Sequence, residues 1–164
     1  MDLQELSYAI ELEPDNPQYY HSRGLIYHEL GQYDLALQDY SRAIELEPDN
    51  AEFYNARGDT YHSLGQYDLD LQDSNRAIEL GPDNAKYYNA RGTTYHVLDE
   101  YELALEDKNR AIELDPNNGE YYFSRSVTYY LLGERDLDRQ DMEKAVELDY
   151  EVAIEVLAKW KNQY

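Results

Sequence analysis

Cysteine is absent from this 164-residue chain, which excludes disulfide bonds and thiolate metal ligands and leaves the redox compartment undetermined. No apolar run approaches the ~18 residues that a membrane-spanning helix needs, and no charged segment followed by an apolar one opens the sequence. We therefore expect a soluble, cytoplasmic protein that does not bind membranes.

Basic residues are scarce: 14 Lys and Arg stand against 35 Asp and Glu, for a net charge of −21 at pH 7. A field of that sign repels phosphate backbones, so we expect no nucleic-acid partner. It would instead steer a basic protein or peptide towards the chain. The alternative is that scattered carboxylates only keep a surface with 19 tyrosines soluble.

Motifs of catalysis are missing as well. The sequence has no cysteine nucleophile, no glycine-rich phosphate loop and no Ser-His-Asp grouping beyond chance. We predict that the protein is not an enzyme and binds no cofactor.

What the sequence does contain is a period of 34 residues, seen first in Gly24, Gly58 and Gly92, with Ser126 at the next step. The same step relates three more columns: Tyr20, Tyr54, Tyr88 and Tyr122; Ala43, Ala77, Ala111 and Ala145; and Pro48, Pro82 and Pro116. A fixed period of this length predicts a stack of one supersecondary unit, in which each unit buries its apolar face against its neighbours.

Each period contains the signals of two helices. Asn16 is a favourable N-cap, and Gly31 supplies the left-handed residue that ends a first helix over about residues 17–30. Asp34 then suits the N-terminal dipole of a second helix, over about residues 34–47. One repeat is therefore an αα-hairpin.

We expect one domain, made of a partial repeat (1–16), full repeats (17–50, 51–84, 85–118 and 119–152) and a C-terminal capping helix (153–164).

The pattern resembles the tetratricopeptide repeat family through Tyr20, Gly24, Tyr27, Ala36, Tyr40, Ala43 and Pro48 and their counterparts at 34-residue steps. The resemblance implies an all-α fold, an α–α superhelix, that is, a right-handed solenoid of stacked helix-turn-helix repeats. Members are typically non-catalytic scaffolds. Their concave groove, lined mainly by the first helix of each repeat, binds extended peptide segments of partner proteins.

On that plan the first helices supply the candidate peptide-binding residues, which are His21, His28, Asn55, Asp59, His62, Lys86, Asn89, His96, Phe123 and Tyr130. The middle of this set is polar and its end is aromatic. It suits a peptide with basic or hydrogen-bonding residues centrally and an apolar anchor near Phe123 and Tyr130. A solvated groove without a dedicated ligand is the alternative.

Some relatives hold a partner's C-terminal carboxylate through five positions, which correspond to His21, Leu25, Ala56, Lys86 and Ala90. Only Lys86 agrees with the family's residues, so we do not expect this mode of binding.

The four histidines of the candidate set do not predict a metal site. His21 and His28 are seven residues apart, ~10.5 Å along a helix, and neighbouring helices lie ~8–10 Å apart, whereas Zn–N bonds are ~2 Å long. A pH-sensitive groove is the better interpretation, because histidine titrates near pH 6.5.

Two features depart from the family pattern or extend it. Asp70 and Asp138 stand where Ala36 and Ala104 stand in the other repeats. Either these repeats are tuned to open or exchange helices, or the carboxylates reach solvent after a local rearrangement. In addition, an arginine column (Arg23, Arg57, Arg91 and Arg125) and an aspartate column (Asp39, Asp73, Asp107 and Asp141) predict structural ion pairs, with anion capture as the alternative.

A second function stays open, because the partial repeat lacks its partner helix. Its apolar face and that of the capping helix would then pack on other copies of the chain, by head-to-tail stacking or helix exchange. The residues that carry this self-association are Leu3, Leu6, Ile10, Val156 and Trp160.

Overall fold

The computed structural model describes residues 1–161, with side chains up to Lys159. This part of the chain forms ten helices and no strand. The helices are α1 (Leu3–Leu12), α2 (Pro17–Glu29), α3 (Tyr33–Leu46), α4 (Ala51–Ser63), α5 (Tyr67–Leu80), α6 (Ala85–Val97), α7 (Tyr101–Leu114), α8 (Gly119–Leu132), α9 (Arg135–Glu147) and α10 (Glu151–Lys161). None of the described helices has the length and apolarity needed to cross a membrane.

The chain divides into two compact units, Met1–Pro82 and Asp83–Tyr164. In unit 1, helices α1 to α4 each pack on the next helix in the sequence, and α2 also contacts α4. In unit 2, helices α6 to α9 each pack on the next, and α6 also contacts α8. Each unit is thus a run of stacked helical hairpins, and the single-domain organisation stays a prediction.

The repeat boundaries follow from local capping chemistry. Asn16 accepts a hydrogen bond from the Gln18 N–H at 3.1 Å, and Asn50, Asn84 and Asn118 cap their helices in the same way. The turn between the two helices of a hairpin needs a left-handed residue. Gly31 supplies it at φ 71°, and Asp99 does so at φ 60° where the glycine is replaced.

The glycines at the hairpin crossings allow a close approach, but not to the alanine column. A Cβ on Gly24 would lie 2.7 Å from the Tyr40 ring, and one on Gly58 would lie 3.1 Å from the Asp70 carboxylate. The residue opposite the glycine is therefore a larger side chain of the second helix. Atoms of Ala43 and Ala77 are not among those nearest to Gly24 and Gly58.

Tyrosine hydroxyls tie the first helices to the turns that precede them. Tyr20 donates to the Pro14 carbonyl at 3.0 Å, and Tyr54 donates to the Pro48 carbonyl at 3.0 Å. Tyr122 makes the same bond. The large apolar ring is thus packed while its hydroxyl keeps a hydrogen-bond partner, as is usual for tyrosine.

The predicted arginine–aspartate pairs are confirmed in all four full repeats. Each guanidinium donates two hydrogen bonds of 2.7–2.9 Å to the aspartate sixteen residues later. Arg57 also donates to Ser41 in the preceding repeat at 3.2 Å, and Arg23 donates to Ser7 of α1 at the same distance. In these repeats one arginine therefore holds three successive helices together.

Candidate functional site

The first helices of the hairpins, α2, α4, α6 and α8, each present one exposed row of side chains. In unit 2 this row includes three exposed aliphatic side chains: Val97 is 43% exposed, Val127 37% and Leu131 52%. Its counterparts in unit 1, 68 residues earlier, are Glu29, Asp59 and Ser63, which are also exposed. We call Val97, Val127, Tyr130 and Leu131 the apolar face of unit 2.

Two of the predicted histidines join neighbouring first helices. His28 Nδ1 lies 2.9 Å from Thr60 Oγ1, and the Thr60 hydroxyl donates to the Ala56 carbonyl, so it accepts from the histidine. His96 Nδ1 lies 3.0 Å from Thr128 Oγ1. The structure thus places both rings as links between helices.

A buried lysine extends the second of these links. Lys108, 2% exposed, donates to the Ser124 carbonyl at 2.9 Å and to Thr128 Oγ1 at 2.8 Å. Burial lowers the pKa of Lys108 to about 8. The pKa of His96 is lowered too, by burial first and then by the charge of Lys108.

In unit 1, the third histidine pairs with a buried carboxylate. His62 Nδ1 lies 3.1 Å from Asp70 Oδ2, and Ser74 donates to Asp70 Oδ1 at 2.9 Å. The hydrogen bond to Asp70 raises the pKa of His62. The serine is bonded to the carboxylate and not to the imidazole, so these three side chains do not form the relay that activates a serine nucleophile.

The idea that the substituted aspartates reach solvent is overturned by their burial. Asp70 is 2% exposed and Asp138 is 5% exposed. A buried carboxylate is stable only with partners, and Asp70 has His62 and Ser74. In the repeat of Asp138, the residues that correspond to Ser74 and His62 are Met142 and Tyr130. Burial raises the pKa of Asp138.

The remaining candidates of unit 1 divide between packing and surface. The ring of His21 stacks 5.0 Å from that of Phe53. Asn55, 2% exposed, donates to the exposed Asp59 at 3.1 Å. Of this set, Asp59 is the side chain most open to a ligand.

In unit 2, Lys86 and Tyr130 are exposed, the latter by 45%. The guanidinium of Arg135 lies 4.1 Å from the centre of the Tyr130 ring, which fixes the ring by a cation–π contact. Phe123 is half-buried against Tyr150, at 5.5 Å between ring centres.

Asn89 carries a buried side-chain oxygen that has no hydrogen-bond partner among the described residues. No group of three or more His, Asp or Glu residues in the described part of the chain is arranged to hold a metal ion.

The residues predicted for self-association belong mainly to the packing of each unit. Leu6 is 1% exposed, and Leu3, Ile10 and Val156 are half-buried. Trp160 falls in α10, but its side chain lies outside the described residues. The apolar side chains that α1 does expose are Tyr8, by 62%, and Leu12, by 64%.

Hairpins of two helices at a 34-residue period, with an exposed row on each first helix, define a repeat protein of the binding-scaffold class. Family matches agree with this class: residues 24–65 match the TPR repeat, and residues 6–38, 51–84 and 85–118 match the tetratricopeptide repeat. The chain belongs to the tetratricopeptide repeat family, as the sequence signature predicted. A sequence search of curated proteins found no match.

Solved structures show the same fold. The thermophilic TPR protein TTC0263 from Thermus thermophilus superposes with a TM-score of 0.85 at 19% identity, over 99% of this chain and 89% of that one. YrrB, described as a TPR protein with an unusual peptide-binding site, gives 0.74 at 22% identity, over 95% and 81%. The first TPR domain of Spaghetti (RPAP3), solved with the HSP90 peptide SRMEEVD, gives 0.68 at 27% identity, over 71% and 93%. The predicted fold class, the α–α superhelix, is confirmed.

Proposed function

We propose that this chain is a non-enzymatic scaffold that binds an extended peptide segment of a protein partner on its first helices. The observation that carries the proposal is the apolar face of unit 2. The equivalent residues of unit 1, 68 positions earlier, are Glu29, Asp59 and Ser63, although α2 also exposes Leu25 by 42%. The repeat fold therefore does not itself require aliphatic side chains at these three positions. Exposed apolar residues grouped in this way are typical of interaction sites.

The candidate residues then have two roles in this proposal. Asp59, Lys86 and Tyr130 would contact the peptide directly, because they are exposed. Histidines that link helices, such as His28 and His96, would hold the binding helices in position. Among the similar structures, YrrB and the RPAP3 domain are described with a peptide or a peptide site, which supports this class of ligand.

The test is a selection of random peptides of roughly 12 residues against the whole chain, followed by fluorescence anisotropy of the enriched peptides. A variant with Val127→Asp and Leu131→Ser, which copies unit 1, should bind them at least tenfold more weakly, since each buried aliphatic side chain contributes about 1.5–3 kcal/mol. The matched control is Val152→Asp on α10, where valine is 44% exposed. Equal affinities for chain and double variant would refute the proposal.

Self-association is the second candidate, favoured by the exposure of Tyr8 and Leu12 on α1. Light scattering over a dilution series tests it against the monomer mass of 19.3 kDa. A larger, concentration-dependent mass that Leu12→Asp abolishes would support it. A constant monomer mass at all concentrations would refute it.

A further inference from the structure

A second apolar surface lies at the turns between the helices of each hairpin. In unit 1 it consists of Leu30 and Leu35, 58% and 41% exposed, and of Leu64 and Leu69, 37% and 41% exposed. We call these four leucines the turn edge of unit 1. They lie outside the row on the first helices on which the proposed function depends.

The turns hold these leucines in fixed positions. The Gln32 N–H donates to the Tyr27 carbonyl at 2.8 Å, and the Leu35 N–H donates to the Gln32 carbonyl at 3.1 Å. The turn that carries Leu64 and Leu69 has the same two bonds. Helices α2 and α4 are also in contact, so the two turns are neighbours on one edge of the unit.

The leucines recur at the same two positions of the repeat. In unit 2 the counterparts Leu103, Leu132 and Leu137 are 42%, 38% and 41% exposed. A single exposed leucine needs no explanation. Within unit 1, exposed leucines at both positions of both full repeats form one apolar group, which is typical of a binding surface.

The charge around the turn edge is of one sign. Residues 24–41 and 58–75 contain no lysine or arginine. Glu29, Asp34 and Asp68 are exposed beside the leucines, and none of the ion pairs in the described part of the chain involves them. Cationic groups of a partner would therefore find free carboxylates there.

This charge selects among the possible occupants. A second copy would bring another chain of net charge −21 and place carboxylates against carboxylates, and an anionic membrane surface would be repelled as well. A protein segment with basic residues beside its apolar ones is complementary to both features of the edge.

We propose that the turn edge of unit 1 binds a basic amphipathic helix of a protein partner. Packed helices have axes about 8–10 Å apart, and since α2 and α4 are in contact, we expect a spacing of this order between Leu30 and Leu64. Residues i and i+7 of a helix are about 10.5 Å apart along its axis. A helix with leucine-like residues at every seventh position, flanked by Lys or Arg, therefore matches this edge.

The experiment uses the whole chain and a labelled synthetic helix of about 18 residues, with leucines on one face and lysines on both flanks. Anisotropy should show binding that weakens as NaCl rises from ~50 to ~300 mM. The double variant Leu30→Gln/Leu64→Gln should bind at least tenfold more weakly. Both side chains are exposed, so its circular dichroism and urea midpoint should match those of the unmodified chain.

The controls separate this proposal from the proposed function. Val127→Asp/Leu131→Ser changes the apolar face of unit 2 and should leave binding of the lysine helix unchanged. If that variant weakens binding while the turn variant does not, the turn-edge proposal fails and peptide binding on the first helices stands. Equal binding of a version with glutamate in place of lysine also overturns the turn-edge proposal.

Other occupants would overturn it too. These outcomes are a dimer that the turn variant abolishes, and binding to phosphatidylcholine–phosphatidylglycerol vesicles that the turn variant reduces. The proposal is also overturned if the lysine helix shows no binding at ~1 mM, which corresponds to a binding free energy weaker than about −4 kcal/mol.

Discussion

Replacing Arg57 by alanine tests the contact that joins three successive helices in unit 1. The Arg57 side chain is 20% exposed, and its partner Asp73 is 6% exposed. Truncation removes two hydrogen bonds to Asp73 and one to Ser41. It also removes the stacking of the guanidinium on Tyr54 and Tyr61, at 5.8 and 5.9 Å from the ring centres.

The largest cost is the carboxylate of Asp73 left buried without its partner. Breaking a buried pair on one side costs about 3–5 kcal/mol. Partial exposure of Arg57 favours the lower end of that range, so we expect a loss of about 3 kcal/mol. With a urea dependence of about 2 kcal/mol per molar, the unfolding midpoint should fall by roughly 1.5 M.

Urea unfolding at pH 7, followed by circular dichroism and by tyrosine fluorescence, measures this change. Arg57→Ala/Asp73→Ala should cost less than the sum of the two single variants, because no orphaned charge remains. The matched control is Glu45→Ala, which breaks the exposed Arg42–Glu45 pair and should leave the midpoint unchanged. A midpoint for Arg57→Ala within error of this control would refute the reasoning.

Three further outcomes are expected. Because the pKa of Lys108 is lowered to about 8 in the fold, the unfolded chain binds more protons than the folded chain between pH 8 and about 10.4. The free energy of unfolding, measured in urea, should therefore rise over that pH range. Lys108→Met should abolish this rise and increase the free energy of unfolding at pH 7 by about 1–3 kcal/mol. Asp70→Ala should lower the pKa of His62, as measured by an NMR titration, and an unchanged pKa would contradict the pairing. The stabilisation from the His62–Asp70 pair is complete below about pH 6.5 and is lost as the pH rises through the raised pKa of His62 in the folded chain. Gly24→Ala places a Cβ 2.7 Å from the Tyr40 ring and should cost about 1–3 kcal/mol, seen as a lower melting temperature.

The fold was readable from the sequence because its signals are local. The predicted helices over 17–30 and 34–47 are observed as Pro17–Glu29 and Tyr33–Leu46. Capping by Asn16 involves only backbone groups a few residues away in the sequence, and it can therefore be predicted from the sequence alone. The arginine–aspartate pairs were predictable for a related reason, since two charged columns in phase must meet in a hairpin.

The partners of each side chain were less readable. Which face of His28 or His62 meets the next helix depends on a modest rotation of the helix about its axis, and the sequence pattern does not fix that rotation. The pairing of Asp70 did leave a signal: when Ala36 becomes Asp70, Tyr40 becomes Ser74 in the same step. A serine four residues after a buried aspartate lies on the same side of the helix, which favours a hydrogen bond between the two side chains.

Those two positions show why surfaces must be assigned repeat by repeat. The same pair of sites holds Ala36 and Tyr40, then Asp70 and Ser74, then Ala104 and Lys108, then Asp138 and Met142, and all eight residues are buried. The backbone plan is therefore compatible with an aromatic ring, a partnered carboxylate, an ammonium group or a carboxylate beside a thioether. Because the buried residues between the two helices differ this much from one hairpin to the next, a consensus repeat sequence cannot predict the surface of each hairpin. The apolar face of unit 2 and the cation-free turn edge of unit 1 are properties of particular repeats, and a binding function has to be sought in them separately.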